Sequence, residues 1–303
     1  MFKGLTSKEF RERFGSERSC LEYLVQLKWS AGYKCSRCEH DQFHKGRKWH
    51  YRRCRKCAYD ESATSGTLFH QCKLGMVTAF EMVFRIAVKK KGMSSCELAR
   101  EFGCQQKSAW LFKAKVQEAM KSSGGHPLAS EVEVDEFVIG GPEQDKPGRS
   151  HGKKKLVVLG IERVTNKKGK ETIGRAYAQT IDASSAPELA DFFHGHVDEN
   201  AAITTDGWRG YAPMKGVWKV TQKKSEGGAN FQLLHIHIMN IKNWIRGIHH
   251  KCSAHRLQKY LDEFHFRFNR RGGLQNIFQK IIEKAVLMSP MPYSKIKLCE
   301  LNG

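Results

Sequence analysis

Two cysteine pairs, Cys35-Ser-Arg-Cys38 and Cys54-Arg-Lys-Cys57, stand fifteen residues apart near the start of the chain. CxxC knuckles at that separation can set four thiolates tetrahedrally around one Zn²⁺. A small ribbon has little core of its own, so metal binding and folding are coupled. The spacing therefore predicts a zinc ribbon over residues 31–70, with Cys35, Cys38, Cys54 and Cys57 as ligands. Sulfur takes all four positions, so the ion is expected to be structural. The alternative is four free thiols.

The same stretch is basic and aromatic. Residues 28–57 hold ten Lys or Arg against two acids, Glu39 and Asp41, together with Phe43, Trp49 and Tyr51. That mixture suits phosphate contact and base stacking, although a plain solvated surface shares it. The whole chain follows suit, with 52 Lys and Arg against 31 Asp and Glu, a formal net charge of +21. Such a field attracts polyanions, and nucleic acid is the favoured partner. No run approaches the roughly 20 apolar residues of a membrane-spanning helix. The N-terminal MFKGLTSKEFRERF is too polar for a secretory signal. A reducing cytoplasmic setting is therefore expected, where ten cysteines read as thiols or metal ligands.

Residues 1–30 carry helical apolar spacing (Phe10, Phe14, Leu21, Leu24, Leu27) and are expected to pack on the ribbon. Residues 71–125 read as helices. Within them SSCELAREFGCQQKSAWLFKAKVQEAM suggests a helix-turn-helix: Ser94 or Ser95 as cap, Gly103 at the turn, and Gln105 to Lys115 as a polar, basic second helix. A generic helical hairpin shares most of these features. Lys121 to Pro127 then breaks the pattern and marks a linker.

From residue 131 the period changes to that of strands. EVEVDEFVIGG, KKLVVLGIERV and ETIGRAYAQTI are three strands, SAPELADFFHGHV a helix, AAITTDGWRGY a short strand ending at Asp206, and VWKVTQK a fifth. Helices over about 233–248, 254–270 and 274–287 follow. This is an α/β order spanning residues 126–290, with 291–303 as a tail. If the first and fourth strands are neighbours, Asp135 and Asp206 meet at one edge. Paired carboxylates so placed are a usual means of holding Mg²⁺ or Mn²⁺ for phosphoryl transfer.

The cysteine knuckles, SATSGTLFH, VEVDEFVIGG, ITTDGWRGY and NIKNWIRGIHHKCSAHRLQKYLDEFHFRFNRR occur in one order along nearly the whole chain. In this the sequence resembles the zinc-ribbon insertion-sequence transposases of bacteria, the group carrying the ISXO-two-like domain. The resemblance implies an RNase H-like catalytic domain, a mixed sheet flanked by helices, behind the zinc ribbon and the helix-turn-helix. It implies a DDE-type enzyme that cuts double-stranded DNA at the terminal inverted repeats and joins the freed 3′-hydroxyls to target DNA. It further implies a homo-oligomer on DNA and a location at the bacterial nucleoid. The first two metal carboxylates carry over to Asp135 and Asp206.

The third ligand in most such enzymes is a helical Glu, with a Lys one or two turns later. Here LLHIHIMNIKNW offers no Glu. His235 lies seven residues before Lys242, and positions i and i+7 fall within roughly 20° of one helix face. His237 lies about 140° from Lys242, while Ile238, Ile241 and Ile245 form the apolar stripe. His235 and Lys242 are thus the site-facing pair, and some branches of the family have His or Asn at this place. Asn240 remains a competitor and Glu226 a weaker one. Glu136 is expected on the strand face opposite Asp135. Beyond the ribbon, GGPEQDKPGRSHGKKK (140–155) and Arg267, Arg270 and Arg271 extend the basic surface. The missing Glu leaves open a non-catalytic DNA-binding regulator derived from such an enzyme.

Overall fold

Thr6 and Ser16 each cap a helix, and in both cases the residue three positions on, Glu9 or Ser19, reaches back to the cap backbone. The helical spacing of the N-terminal segment is thereby split into α1 (Ser7–Phe14) and α2 (Glu17–Lys28). The computed structural model describes residues 6–140, 154–249, 252–273 and 275–296. The loop at 140–155 lies, but for its ends, outside the described residues.

The chain divides into two units, one of Met1–Met120 with Arg270–Asn302 and one essentially of Lys121–Asn269. In the first, strands β1 (Phe43–Lys45), β2 (Tyr51–Cys54) and β3 (Asp60–Ser62) form an antiparallel ribbon. Helices α3 (Met76–Val88), α4 (Ser95–Phe102) and α5 (Gln106–Met120) follow, and α9 (Gln275–Leu287) completes the unit. Phe10 of α1 stacks on Phe84 at 4.3 Å between ring centres and meets Phe278 of α9 edge-on at 5.3 Å. Phe14 touches Phe80 and Phe278. The N-terminal phenylalanines thus pack on α3 and α9, not on the ribbon as expected. The tie from α2 to the ribbon is polar: Lys28 Nζ lies 2.7 Å from the buried Glu61 carboxylate and donates to the Ser62 carbonyl at 2.9 Å.

Two further expectations change here. Helix α9 and the described tail belong to this first unit, so the expected catalytic segment 126–290 is too long at its C-terminal end. The reason is the apolar face of α9, where Ile277, Phe278, Ile281, Ile282 and Ala285 are all buried. The α4–α5 hairpin has its Ser94 cap and a left-handed Gly103 at φ +60°. Its second helix is largely covered, however. Lys113 is buried and donates to the Met93 carbonyl at 2.6 Å, and Met291 and Ile296 pack with Ala114, Trp110 and Leu111. Full exposure is confined to the start, Gln105 to Ser108.

The second unit is built on β4 (Glu131–Ile139), β5 (Lys155–Thr165), β6 (Glu171–Ile181), β7 (Ala202–Thr205) and β8 (Lys219–Gln222). The sheet order is β6-β5-β4-β7-β8, antiparallel across β6, β5 and β4 and parallel across β4, β7 and β8. This is the mixed sheet of the RNase H-like arrangement, with β4 at its centre. Period-two alternation sends Val132, Val134 and Val138 to a core shared with α6 (Ala186–His196) and the 3₁₀ segment Arg209–Gly216. Phe137 and Ile139 go to the opposite core, under α7 (Gln232–Ile248) and α8 (Ala254–Phe268). Arg267, expected at the basic surface, instead lies on α8 with only 11% of its side chain exposed, 3.9 Å from the buried Glu263 carboxylate.

Candidate functional site

In the ribbon the two knuckles repeat one geometry. The Cys35 and Cys54 amides donate to the carbonyls of His40 and Tyr59, and Glu39 and Ala58 adopt left-handed backbone at φ +59° and +56°. The four sulfurs lie within 4.8 Å of one another, Cys35 and Cys57 at 3.6 Å and Cys38 and Cys54 at 3.5 Å. Burial opposes a Cys35 thiolate, yet the backbone amides of Arg37 and Cys38 outweigh it and bring the thiol down to about 6. Such a donor set suits Zn²⁺. Beside it the Arg52 guanidinium lies 3.9 Å from the Phe43 ring, and Trp49 is 43% exposed.

The second constellation stands where β4 and β7 run side by side. Val134 pairs with Thr205, so the next residues, Asp135 and Asp206, leave the parallel pair together. The Asp206 turn is pinned: its Oδ1 accepts from the Trp208 amide at 2.9 Å, and the Gln222 side chain donates to the carbonyls of Asp206 and Trp208. By alternation Asp135 shares the α7 face of β4 with Phe137. His235 of α7 brings its Nε2 to 3.7 Å from the Asp135 carboxylate, and that nitrogen has no hydrogen-bond partner among the described residues. Lys242, seven residues on, lies over the Phe137 ring at 5.6 Å. Burial, then Arg246 and Lys154, lower its pKa. The two side chains singled out on α7 thus track two successive same-face residues of β4.

The competing positions lie elsewhere. His237 is fully buried, with its Nε2 3.3 Å from His265 Nε2 in the packing between α7 and α8. Asn240 and Glu226 are exposed. Gly228 has φ +95°, and a Cβ there would stand 3.1 Å from the His235 ring. The turn before α7 is therefore a wall that His235 rests on. Sequence spacing gave no sign of this beyond the Gly-Gly pair itself.

Glu136 is the residue that spacing excluded and the structure includes. It lies on the α6 face by alternation, yet one carboxylate oxygen each from Asp135, Glu136 and Asp206 falls within a 4.8 Å cluster. Alternation governs side chains beside an intact ladder, whereas β7 ends at Thr205 and leaves this place open to both faces. Burial first, then Asp135 and Asp206, push the Glu136 carboxyl up to about 7 against an opposing contribution from the Tyr211 hydroxyl. Three carboxylates this close repel one another, and a hard divalent cation is the natural counter-charge. Oε1 of Glu136, buried and without a hydrogen-bond partner, fits such an ion.

A four-cysteine ribbon and an RNase H-like sheet with clustered carboxylates at its central strands define a class: zinc-ribbon proteins with a candidate metal-dependent phosphoryl-transfer domain. The family comparison makes this specific. Residues 15–60 match the transposase zinc-ribbon domain and residues 127–269 match the ISXO2-like transposase domain. One chain thus matches both domains of this transposase group, the ribbon first and the transposase domain after it. An uncharacterized protein in transposable element ISH50 of Halobacterium salinarum is 25% identical, with 90% of this chain and 98% of that protein covered. No described helix is long and apolar enough to cross a membrane.

Proposed function

We propose that the chain cleaves DNA at the ends of an insertion sequence and joins the resulting 3′-hydroxyls to target DNA. The observation that carries this reading is the clustering of the Asp135 and Asp206 carboxylates where β4 and β7 adjoin, with His235 Nε2 of α7 3.7 Å from the Asp135 carboxylate. Asp135 and Asp206 would hold Mg²⁺ or Mn²⁺, and His235 would ligate from the helix side. Bound there, the ions would activate the attacking hydroxyl and stabilise the leaving oxygen. Lys242 supplies a positive charge against a phosphate beside the scissile bond. The Trp208 amide holds the Asp206 carboxylate, and Gln222 holds the backbone of its turn, before DNA arrives. Zn²⁺ on the four cysteines holds the ribbon, whose basic and aromatic face contacts DNA together with the exposed start of α5. Double-stranded DNA is the partner, bound by a homo-oligomer.

The test is end cleavage by full-length protein with Mn²⁺ or Mg²⁺. Asp135→Asn and Asp206→Asn should abolish cutting while leaving end binding nearly intact, because binding resides in the first unit. Equal loss of binding in both variants contradicts that division. The histidine in place of Glu favours a second reading, a regulator that binds ends without cutting. Binding by wild type with no cleavage under either metal would establish it.

A further inference from the structure

Tyr211 is an anomaly of the second unit. It is fully buried, its hydroxyl has no hydrogen-bond partner among the described residues, and it faces the acid cluster. Its strongest electrostatic neighbour is Glu136, followed by Asp135, with Asp206 also acting on it. The Tyr211 hydroxyl is close enough to favour the Glu136 carboxylate, as is the Ser184 side chain, but neither Tyr211 Oη nor Glu136 Oε1 has a well-formed hydrogen bond. A hydroxyl and a carboxylate oxygen, both desolvated and both unsatisfied, are costly unless a ligand completes the arrangement.

From this geometry we infer that Glu136 is a third carboxylate ligand of the divalent-metal site and that Tyr211 is its positioning residue. The inference rests on the proposed metal-dependent function and adds residues to it. In this arrangement one Glu136 oxygen turns to the ion, and the other accepts the Tyr211 O–H. The electrostatics of the cluster give the reason. With His235 neutral, Asp135 and Asp206 alone provide two negative charges. Glu136 raises that to three, so the charge absent from α7 is supplied by the strand. Its approach from the α6 face leaves the α7 face to His235 and Lys242, so the ion is enclosed from both sides of the sheet edge. Hydrogen-bonded outer partners of this kind orient a ligating carboxylate, and their loss typically weakens metal binding about 10–100-fold.

The experiment uses full-length, zinc-loaded protein. Binding of Mn²⁺ is followed by the electron paramagnetic resonance of the free ion, and thermal unfolding is recorded with and without Mn²⁺. Wild type should bind Mn²⁺ and melt at a higher temperature with it. Glu136→Gln should weaken binding at least about tenfold and Tyr211→Phe about tenfold. Without Mn²⁺, Glu136→Gln should melt no lower than wild type, since one of three mutually repelling carboxylates is gone. A residue needed only for the fold would instead lower that temperature. Wild-type Mn²⁺ affinity in Glu136→Gln, alongside its loss in Asp135→Asn, overturns the role of Glu136 and leaves the metal site standing. Absence of Mn²⁺ binding in wild type overturns both.

Discussion

Lowering the pH from 7 to 5 should weaken the second unit, and one buried ring supplies a separable part of the loss. His265 is 3% exposed, and its Nδ1 lies 2.8 Å from the Leu261 carbonyl. A carbonyl only accepts, so Nδ1 carries the proton and Nε2 is the acceptor for His237 at 3.3 Å. A proton on His265 would set two N–H groups against each other. Burial lowers the His265 pKa from 6.5 to about 4, the Leu261 carbonyl offsets this in part, and His196 adds to it. The native state therefore binds fewer protons than the unfolded chain between those values. The stabilisation is complete above pH 6.5 and is lost as pH falls towards 4. Linkage makes the loss about 2 kcal/mol at pH 5 and about 3 kcal/mol at pH 4. Urea unfolding of zinc-loaded protein at pH 7 and 5, followed by fluorescence, measures it. His265→Gln keeps an acceptor but cannot titrate, so it should lose about 2 kcal/mol less than wild type over that interval. An equal loss in wild type and His265→Gln would refute the assignment.

Cys54→Ser should drop the zinc content from about one per chain to well below that and unfold the ribbon; elemental analysis with limited proteolysis reads both, and full zinc with an unchanged fold sinks the ligand set. Gly228→Ala should cut end cleavage on the order of tenfold to a hundredfold without changing zinc content, because its Cβ pushes the His235 ring aside; unchanged turnover would show that His235 needs no such wall. Phe278→Ala should cost about 3–5 kcal/mol in the first unit while leaving the second unit's transition in place; a loss under about 1 kcal/mol would mean α9 is peripheral. His237→Ala should keep its chemistry but lower stability, measurable as a fall in melting temperature with cleavage retained at low temperature. Cleavage as poor as in His235→Ala, in a variant that melts normally, would reverse the assignment of the two histidines.

The strands and helices of the second unit were legible because period-two and period-3.6 patterns are local. Asp135 and Asp206 were legible as a pair only on condition that β4 and β7 adjoin, and the parallel register meets that condition. His235 was separable from His237 by helix angle, since the side of α7 that buries Ile238 and Ile241 also takes in His237. Glu136 was missed because alternation assumes an uninterrupted sheet, and a neighbouring strand's end is a tertiary fact. Arg267 was misjudged for a similar reason, as nothing local reveals that Glu263 one turn before it is buried too. The partner of Phe278 lies more than 260 residues away at Phe10, beyond the reach of any pattern read in a window.

That last pairing bears on how the protein comes into being. The second unit lies in sequence between the two parts of the first. A ribosome that has reached Asn269 has delivered every residue of the sheet and its carboxylates, while Phe10, Phe14, Phe80 and Phe84 still lack Phe278. The unit that carries the zinc ribbon is therefore finished last, although its cysteines are made early. Chains released prematurely would carry a complete acid cluster on an unclosed binding unit, with bare aromatic surface that invites proteolysis. On the proposed function, such fragments would compete poorly for transposon ends, and the order of synthesis itself would favour finished chains.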